Sequence, residues 1–302
     1  MNTASKAAAH PNGRTAAVCD LCGASDFEPI LESPRLDGPL VRCRECGLHA
    51  VSHRSSSLTF GSGSAEETSH RIVDANQDFV DLDRREEIRL NTLNSNWRLD
   101  LISKQVSGGR LLEVGCGRGD FIRVAAERFE VWGIEPNPAL ARDAAQRNTV
   151  FEGLVDDAPD DQEWTQFDVV VAFHVLEHVE SPTRFVRSLA RRLKPGGLLV
   201  LETPDIDSAP YRWFGPRWRQ FIPEHYYFFD TRTLTRLIRE SDCRVIRVRR
   251  IGKYASPALV LNRLGRQIRF LRAASGWHLP GRVRVNPGDI LLAMAVRDSG
   301  RD

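Results

Sequence analysis

Short hydrophobic runs alternate with amphipathic stretches along most of this 302-residue chain. The runs predict strands at 110–115, 130–135, 149–153, 167–173, 197–203, 243–250 and 288–296. The stretches between them predict helices at 119–128, 138–147, 182–193 and 231–241. This alternation predicts an α/β fold with a doubly wound, mostly parallel, seven-stranded sheet. Ligands of such sheets bind beyond the carboxyl ends of the strands.

Residues 111–120, LLEVGCGRGD, predict a strand that runs into a glycine turn and then into a helix. Gly115, Gly117 and Gly119 have no Cβ, so the backbone can turn sharply and a ligand can lie against it. The following helix directs its first N–H groups to the same place. Turns that bind dinucleotides have the pattern G-x-G-x-x-G, but Asp120 stands where the third glycine would be. Its carboxylate would repel a pyrophosphate and would suit a cationic ligand.

Two further acidic residues accompany this turn. Glu113 lies on the strand before the turn and adds negative charge. Glu135 ends the next predicted strand, 20 residues after Gly115, where an acidic side chain can accept both ribose hydroxyls of a nucleoside. The alternative is that Glu135 is a solvated carboxylate at a strand end. Asn137 and Pro138 then predict the start of a helix, with asparagine as the N-cap.

The order of four motifs, LLEVGCGRGD, VWGIEPN, FDVVVAFHVLEHV (167–179) and LKPGGLLVLETP (193–204), resembles the class I S-adenosylmethionine-dependent methyltransferases, in particular the ubiquinone-biosynthesis O-methyltransferase group. The resemblance covers roughly residues 80–250. It implies a Rossmann-like fold and S-adenosylmethionine as the cofactor. The implied cofactor-binding residues are Glu113, Gly115, Cys116, Gly117, Gly119, Asp120, Glu135, Pro136, Asp156 and His174. The expected activity is O-methylation, or less favourably C-methylation, of a small molecule or glycan in a specialised or envelope pathway.

Two histidines are the candidate catalytic residues. His174 follows the predicted strand 167–173, near the expected position of the transferable methyl group. An oxygen acceptor of high pKa needs a base, and imidazole suits neutral pH. The alternative is that His174 packs against the cofactor. His225 is the second candidate, because Pro223-Glu-His225 resembles a Pro-x-His signature of related methyltransferases. His178 is interpreted as a structural partner of the following loop.

Four cysteines have the spacing C-x2-C-x20-C-x2-C: Cys19, Cys22, Cys43 and Cys46. Two such pairs predict a structural zinc ribbon with Zn–S distances of about 2.3 Å. Disulfides are the alternative, which is disfavoured in a cytoplasmic chain. Several methyltransferases of deoxysugar and surface-glycan pathways begin with a similar module. This resemblance implies that the ribbon could help to cover the substrate site.

The composition, with 27% charged and 41% hydrophobic residues, is typical of a soluble globular protein. No apolar run approaches the roughly 20 residues that span a bilayer, and residues 1–17 lack a hydrophobic signal core, so we expect a cytoplasmic protein. The expected organisation is a disordered tail at 1–17, a zinc ribbon at 18–51, a linker at 52–75 and a methyltransferase domain at 76–302, with a basic insert at about 253–287.

The net charge of +2 is unevenly distributed. The segment 244–284 contains 11 basic residues and no acidic residue. Within it, 261–271 has the pattern of a basic amphipathic helix, which would contact a membrane surface or an anionic substrate, or else cover the protein's own core. An RNA methyltransferase with a zinc ribbon is the competing function. Nucleic acid is disfavoured as a partner, because the rest of the chain is acidic and no Asn/Asp-Pro-Pro-Tyr/Phe motif follows strand 167–173.

Overall fold

The computed structural model describes residues 18–52, 84–257, 260 and 281–299. The strands are β1 (Phe27–Leu31), β2 (Leu40–Cys43), β3 (His49–Val51), β4 (Arg110–Val114), β5 (Glu130–Glu135), β6 (Thr149–Glu152), β7 (Phe167–Phe173), β8 (Leu193–Pro204), β9 (Tyr227–Phe228), β10 (Cys243–Arg250), β11 (Lys253–Ala255), β12 (Val283–Val285) and β13 (Ile290–Arg297). The helices are α1 (Arg84–Ser103), α2 (Asp120–Ala125), α3 (Pro138–Ala145), α4 (Pro182–Arg192), α5 (Ala209–Phe214) and α6 (Thr231–Arg239).

Seven strands form the main sheet in the order β10-β13-β8-β7-β4-β5-β6. Neighbouring strands from β8 to β6 run parallel, whereas β13 is antiparallel to both β8 and β10. The predicted doubly wound, mostly parallel sheet is therefore confirmed. The order reverses between β4 and β7, so their carboxyl ends lie at the switch point where such sheets bind ligands.

The central strands are buried on both faces. Val169, Val170 and Val171 of β7 are fully buried, which explains why the sequence of this strand is continuously apolar and does not alternate. One hydrophobic core contains side chains of α4 and α6, and the core on the opposite face contains side chains of α1 and α2. The two cores hold the strand ends, and hence the loops that follow them, in fixed positions.

Two element boundaries differ from the predictions by three or more residues. β8 begins at Leu193, four residues before the predicted strand, because Leu193 pairs with Phe167 and a register shift follows in the β7–β8 pairing. The helix predicted at 119–128 ends at Ala125, where the chain continues in turns that bury Phe129.

The cysteine-rich segment is joined to the part of the chain that forms the main sheet by a second sheet. Its order is β1-β2-β3-β9, and β9 comes from the connection between β8 and α6. His49 pairs with Phe228 and Ala50 pairs with Tyr227 across the junction. Many aromatic residues of this connection are core residues here, although Trp213 is 86% exposed. The ribbon is therefore anchored beside the carboxyl end of the main sheet.

A side-chain contact strengthens the same junction. The carboxylate of Asp20 accepts hydrogen bonds from the hydroxyl of Ser181 and from the backbone N–H of Thr183, at 2.7 Å for the latter. Both donors lie at the N-terminus of α4, where unpaired N–H groups and the helix dipole favour a negative charge. The first cysteine knuckle is thus tied directly to the loop after β7.

The insert between β10 and β13 contains the two-stranded antiparallel sheet of β11 and β12. The amphipathic helix predicted at 261–271, the predicted tail at 1–17 and nearly all of the predicted linker at 52–75 lie outside the described residues. The domain predicted at 76–302 is described from residue 84 onward. Among the described residues, no helix has the length and apolar character needed to cross a membrane.

Candidate active site

The glycine turn after β4 has the conformation that its sequence predicted. Gly115, Gly117 and Gly119 have φ angles of 76°, 55° and 78°, in the left-handed region that favours glycine. The N–H groups of Gly115 and Cys116 donate to the carbonyl of Ile134 at 2.8 and 3.2 Å. A Cβ on Gly115 would collide with Val175 of the loop after β7. The turn is therefore in close contact with both neighbouring strand ends.

The carboxylate of Glu135 lies at the end of β5 and is fixed by two backbone donors. Its Oε2 accepts from the N–H of Gly117 at 2.8 Å, and its Oε1 accepts from the N–H of Asn137 at 2.9 Å. Burial raises the pKa of Glu135, and these two bonds oppose the shift. Because each carboxylate oxygen has two lone pairs, each can accept one more hydrogen bond. This arrangement fits the adjacent hydroxyls of a ribose, so the site fits the nucleoside part of S-adenosylmethionine.

A cavity of about 580 Å³ opens beside this carboxylate. This volume is within the range of small-molecule sites. Apolar side chains, including Ile134, Leu140 and Val155, form one wall that suits a flat base. Six of the predicted cofactor-binding residues line the cavity: Gly115, Gly117, Glu135, Pro136, Asp156 and His174.

The other four predicted cofactor-binding residues, Glu113, Cys116, Gly119 and Asp120, do not line this cavity. The carboxylate of Asp120 accepts hydrogen bonds from Asn91 at 2.9 Å and from Arg123 at 3.0 Å. Glu113 lies behind the turn, where burial raises its pKa well above the usual range. The structure therefore does not bring the expected negative charges of these two residues to the cavity. The pairing of Asp120 with Asn91 was not evident from the sequence, because the two residues lie on different helices.

His174 also lines the cavity and lies directly after β7. It is a non-glycine residue with a φ of 57°, an uncommon conformation that is enriched at functional sites. Its backbone N–H donates to the carbonyl of Glu202 at 2.9 Å, which holds the turn against β8. Its Nδ1 lies 3.1 Å from Oε1 of Glu177. The side chain is 30% exposed, so a molecule in the cavity can reach the ring.

Glu177 is the centre of a cluster that the sequence interpretation missed. It is fully buried, and its Oε2 accepts a hydrogen bond from the hydroxyl of Thr203 at 3.0 Å. Burial alone would raise its pKa, but the hydrogen bond with His174 and the charges of nearby imidazoles lower it to about 2. The signal was present in the spacing His-x-x-Glu-His at 174–178, which places three ionisable side chains within one turn.

His225 and His178 complete the cluster. Their rings meet edge to face with centroids 4.6 Å apart, and both residues line the cavity. Burial lowers the pKa of His225 to about 3, with the neighbouring His178 adding to the shift. Burial also lowers the pKa of His178. Burial thus disfavours a positive charge on both His178 and His225.

The far end of the cavity is formed by the connection after β8 and by the basic insert. Arg219, Gln220 and Lys253 line this end. The guanidinium of Arg219 is held by Asp289, with contacts of 2.8 and 2.9 Å. The two predicted catalytic histidines thus line the same cavity as the glycine turn, Arg219 and Lys253.

The four ribbon cysteines converge as their spacing predicted. Their sulfur atoms all lie within 4.8 Å of one another, and the closest pairs, Cys19–Cys46 and Cys22–Cys43, are 3.5 Å apart. A disulfide would require about 2.05 Å, whereas two sulfurs bound 2.3 Å from a tetrahedral zinc ion lie about 3.8 Å apart. The residues therefore fit a Zn²⁺ ion, with all four coordination positions supplied by thiolates.

The strand order with one antiparallel strand, and the cavity beyond the ends of β4, β5 and β7, define the fold of a class I methyltransferase. A family model described as a methyltransferase domain matches residues 84–248, more than half of the chain. The chain therefore belongs to this family of S-adenosylmethionine-dependent methyltransferases, as its four motifs predicted.

Two curated relatives show where the similarity lies. The ubiquinone biosynthesis O-methyltransferase of Pseudomonas entomophila is 31% identical over 158 residues, covering 48% of this chain and 63% of that protein. The tRNA U34 carboxymethyltransferase of Hydrogenovibrio crunogenus is 32% identical over 152 residues, covering 46% of each chain. The chain thus spans less than two thirds of the length of these relatives.

A solved structure supports the fold independently. A methyltransferase of Thermotoga maritima, described as dependent on S-adenosylmethionine, superposes with a TM-score of 0.50 at 19% identity, covering 76% of this chain and 97% of the other. At this level of identity the likeness concerns the fold alone.

Proposed function

We propose that the protein transfers a methyl group from S-adenosylmethionine to an oxygen of a small molecule or glycan, with C-methylation as the less favoured reaction. The observation that carries this proposal is a single cavity with two unlike ends. The glycine turn and Glu135 form a nucleoside-binding end, and the cluster around His174 lies across from it. A methyl donor and an acceptor would meet between the two.

Glu135 and the glycine turn have separate proposed roles in binding the cofactor. Glu135 accepts the ribose hydroxyls, and the turn around Gly115 and Gly117 lets the cofactor approach the backbone closely. When bound, S-adenosylmethionine supplies a methyl group on a positively charged sulfur. Much of the rate enhancement then comes from holding the acceptor oxygen in line with that group.

His174 is the candidate base. Its Nδ1 faces the ionised carboxylate of Glu177, so Nδ1 carries the proton and Nε2 is the basic nitrogen. Nε2 would accept the proton of an acceptor hydroxyl as its oxygen forms the new bond. His225 is more buried than His174, and we propose that it positions the acceptor from the floor of the cavity.

The ribbon is proposed to bind a structural Zn²⁺ ion through its four cysteines. Because β3 pairs with β9 beside the cavity, the metal would stabilise the connection that closes the acceptor end. The Arg-rich segment 244–284 is proposed to contact an anionic acceptor or membrane surface. We also propose a cytoplasmic location for the protein.

The experiment supplies the purified protein and methyl-labelled S-adenosylmethionine with fractionated cell extract. Separate fractions contain soluble metabolites, lipid and glycan material, and RNA. We expect label in a metabolite, lipid or glycan fraction, and at least a tenfold lower rate with His174→Gln. His49→Gln, a histidine of β3 outside the cavity, is the matched control and should retain the wild-type rate. Absence of labelling in every fraction, with S-adenosylhomocysteine unbound, would reject the proposal.

RNA methylation is the second candidate, because one relative is a tRNA-modifying enzyme and segment 244–284 is strongly basic. Label confined to the RNA fraction would establish it in place of the first. Binding of RNA should then weaken steeply as the salt concentration rises, since phosphate contacts release counterions.

A further inference from the structure

We propose that Glu177, His178 and His225 form a binding site for a divalent transition-metal ion of the Zn²⁺ type, distinct from the cysteine site of the ribbon. One ligand atom from each of the three residues lies within 4.8 Å of the other two. All three belong to structured parts of the chain, the loop after β7 and the connection before β9. The site would form the floor of the cavity, beside His174.

The two imidazoles are oriented as metal ligands usually are. Nδ1 of His178 donates to the backbone carbonyl of Glu224 at 2.9 Å, and Nδ1 of His225 donates to the carbonyl of Gln220 at 2.7 Å. Histidine ligands commonly donate their second ring N–H to a carbonyl or carboxylate, which fixes the tautomer and the direction of the ring. The atom that each ring would offer to the metal is therefore Nε2.

The carboxylate is oriented in the same manner. Oε2 of Glu177 accepts from the hydroxyl of Thr203 at 3.0 Å, and Oε1 faces Nε2 of His225 at 4.0 Å. Two ligands bound about 2.1 Å from a tetrahedral ion lie about 3.4 Å apart. A side-chain adjustment of about half an ångström would therefore bring these two atoms to the distance that a metal requires.

The burial of the Glu177 carboxylate also favours a cation at this place. Metal ligation requires a deprotonated carboxylate and neutral imidazoles. Glu177 is fully buried, and among the described residues no lysine or arginine forms an ion pair with its carboxylate. The carboxylate instead lies beside the histidines at 174 and 225 and the hydroxyl of Thr203. A divalent cation would balance this buried charge, which would otherwise carry a large desolvation cost.

The ligand set defines the class of ion. Two imidazoles and one carboxylate form the set of many catalytic zinc sites and of sites for Fe²⁺ or Mn²⁺, which keep open coordination positions. Mg²⁺ and Ca²⁺ prefer a shell of oxygen ligands and are disfavoured. His178 and His225 line the cavity, so the open positions would face a bound molecule.

The site suggests how an acceptor hydroxyl is activated, and this consequence rests on the proposed function. The acceptor oxygen would bind the ion, its proton would pass to Nε2 of His174, and the O–CH₃ bond would form as the S–CH₃ bond breaks. The electron pair of that bond would remain on the sulfur. Metal binding itself depends only on the geometry of the three ligands.

The test measures metal content and needs no methyl acceptor. The purified full-length protein is loaded with Zn²⁺, Mn²⁺ or Co²⁺, one at a time, dialysed against metal-free buffer and analysed by mass spectrometry of the elements. We expect about two equivalents of Zn²⁺ per chain, one in each site. About one equivalent with every ion, removed entirely by Cys43→Ser, would overturn the proposal.

Matched variants separate the sites. His225→Asn and His178→Asn keep a donor for the main-chain carbonyl and remove the ligand nitrogen, so each should lower the content to about one equivalent. His225→Asp restores a ligand and should recover part of the loss, and His49→Asn should leave about two equivalents. Unchanged content in both asparagine variants would contradict the assignment. Metal content and labelled methyl transfer are measured separately. The metal site can therefore be rejected while methyl transfer is confirmed, and methyl transfer can be rejected while the metal site is confirmed.

Discussion

Replacement of Glu135 by glutamine perturbs the nucleoside-binding end with little change in volume. In the native protein the two carboxylate oxygens accept from the N–H groups of Gly117 and Asn137. Glutamine has one acceptor oxygen and one NH₂ group, so it can satisfy only one of these donors. The same change removes the negative charge to which both ribose hydroxyls would donate.

The expected loss follows from the number of bonds that change. A hydrogen bond to a charged group contributes about 1.5–3 kcal/mol, and a neutral bond contributes about 0.5–1.5 kcal/mol. Each of the two ribose hydroxyls would lose the difference between a bond to a charged group and a bond to a neutral group, about 1–1.5 kcal/mol. One of the hydroxyls would also face the NH₂ group of glutamine in place of an acceptor oxygen. We therefore expect S-adenosylhomocysteine to bind Glu135→Gln roughly 2–3 kcal/mol more weakly, which is roughly 30–150-fold in Kd.

Isothermal titration calorimetry with S-adenosylhomocysteine measures this loss. The matched control is Glu152→Gln, because Glu152 pairs with Glu135 in the adjacent strand but is exposed and outside the cavity lining. Thermal unfolding of each variant checks that the protein remains folded. A Kd of Glu135→Gln within twofold of the wild type would refute the assignment of this carboxylate to the ribose.

Three further predictions concern stability. Asp20→Ala should lower the free energy of unfolding by about 1–2 kcal/mol in urea titrations, because the N-terminus of α4 loses its bonds to the ribbon. Arg98→Ala should cost about 3–5 kcal/mol, since Glu202 is 1% exposed and would lose its bidentate partner. Burial, together with the charge of Arg42, lowers the pKa of His49 to about 4. The contribution of His49 to stability is therefore complete above pH ~6.5 and is lost as the pH falls toward 4. Within this range the free energy of unfolding should change by about 1.4 kcal/mol per pH unit.

Matched controls accompany these three measurements. Asp26→Ala and Arg128→Ala remove exposed charges and should each change the free energy of unfolding by less than about 1 kcal/mol. Equal effects of Asp20→Ala and Asp26→Ala would contradict the capping role. For the pH dependence, the free energy of unfolding of His49→Asn should change less steeply with pH than that of the wild type between pH ~4.5 and ~6. The difference in slope should correspond to about one bound proton. Identical slopes would show that His49 is protonated in the folded protein.

The fold could be predicted largely because its signals are local. The continuous apolar run of β7 indicated a strand buried on both faces, and the glycines after β4 indicated a turn with the left-handed φ angles that favour glycine. Glu135 was identified from its spacing alone, and the structure places it against the cavity. The paired cysteines were equally local, because each knuckle is formed within a few residues.

The remaining features depend on contacts between residues that are distant in the sequence. The pairing of Ala50 with Tyr227 joins segments separated by most of the chain, and no local pattern encodes it. The partner of Asp120 on α1 likewise could not be inferred from the turn motif. The cluster around Glu177 was missed because His225 reaches it from another segment, and only the folded chain brings the three candidate metal ligands together.

A crystal structure of the protein with S-adenosylhomocysteine would test the central claim most directly. The account predicts that the ribose hydroxyls lie within hydrogen-bond distance of the Glu135 carboxylate and that the sulfur atom faces His174. It also predicts open space between that sulfur and the end of the cavity lined by Arg219 and Lys253, where the acceptor would bind. A ligand bound elsewhere, or bound with its sulfur turned away from His174, would contradict the account.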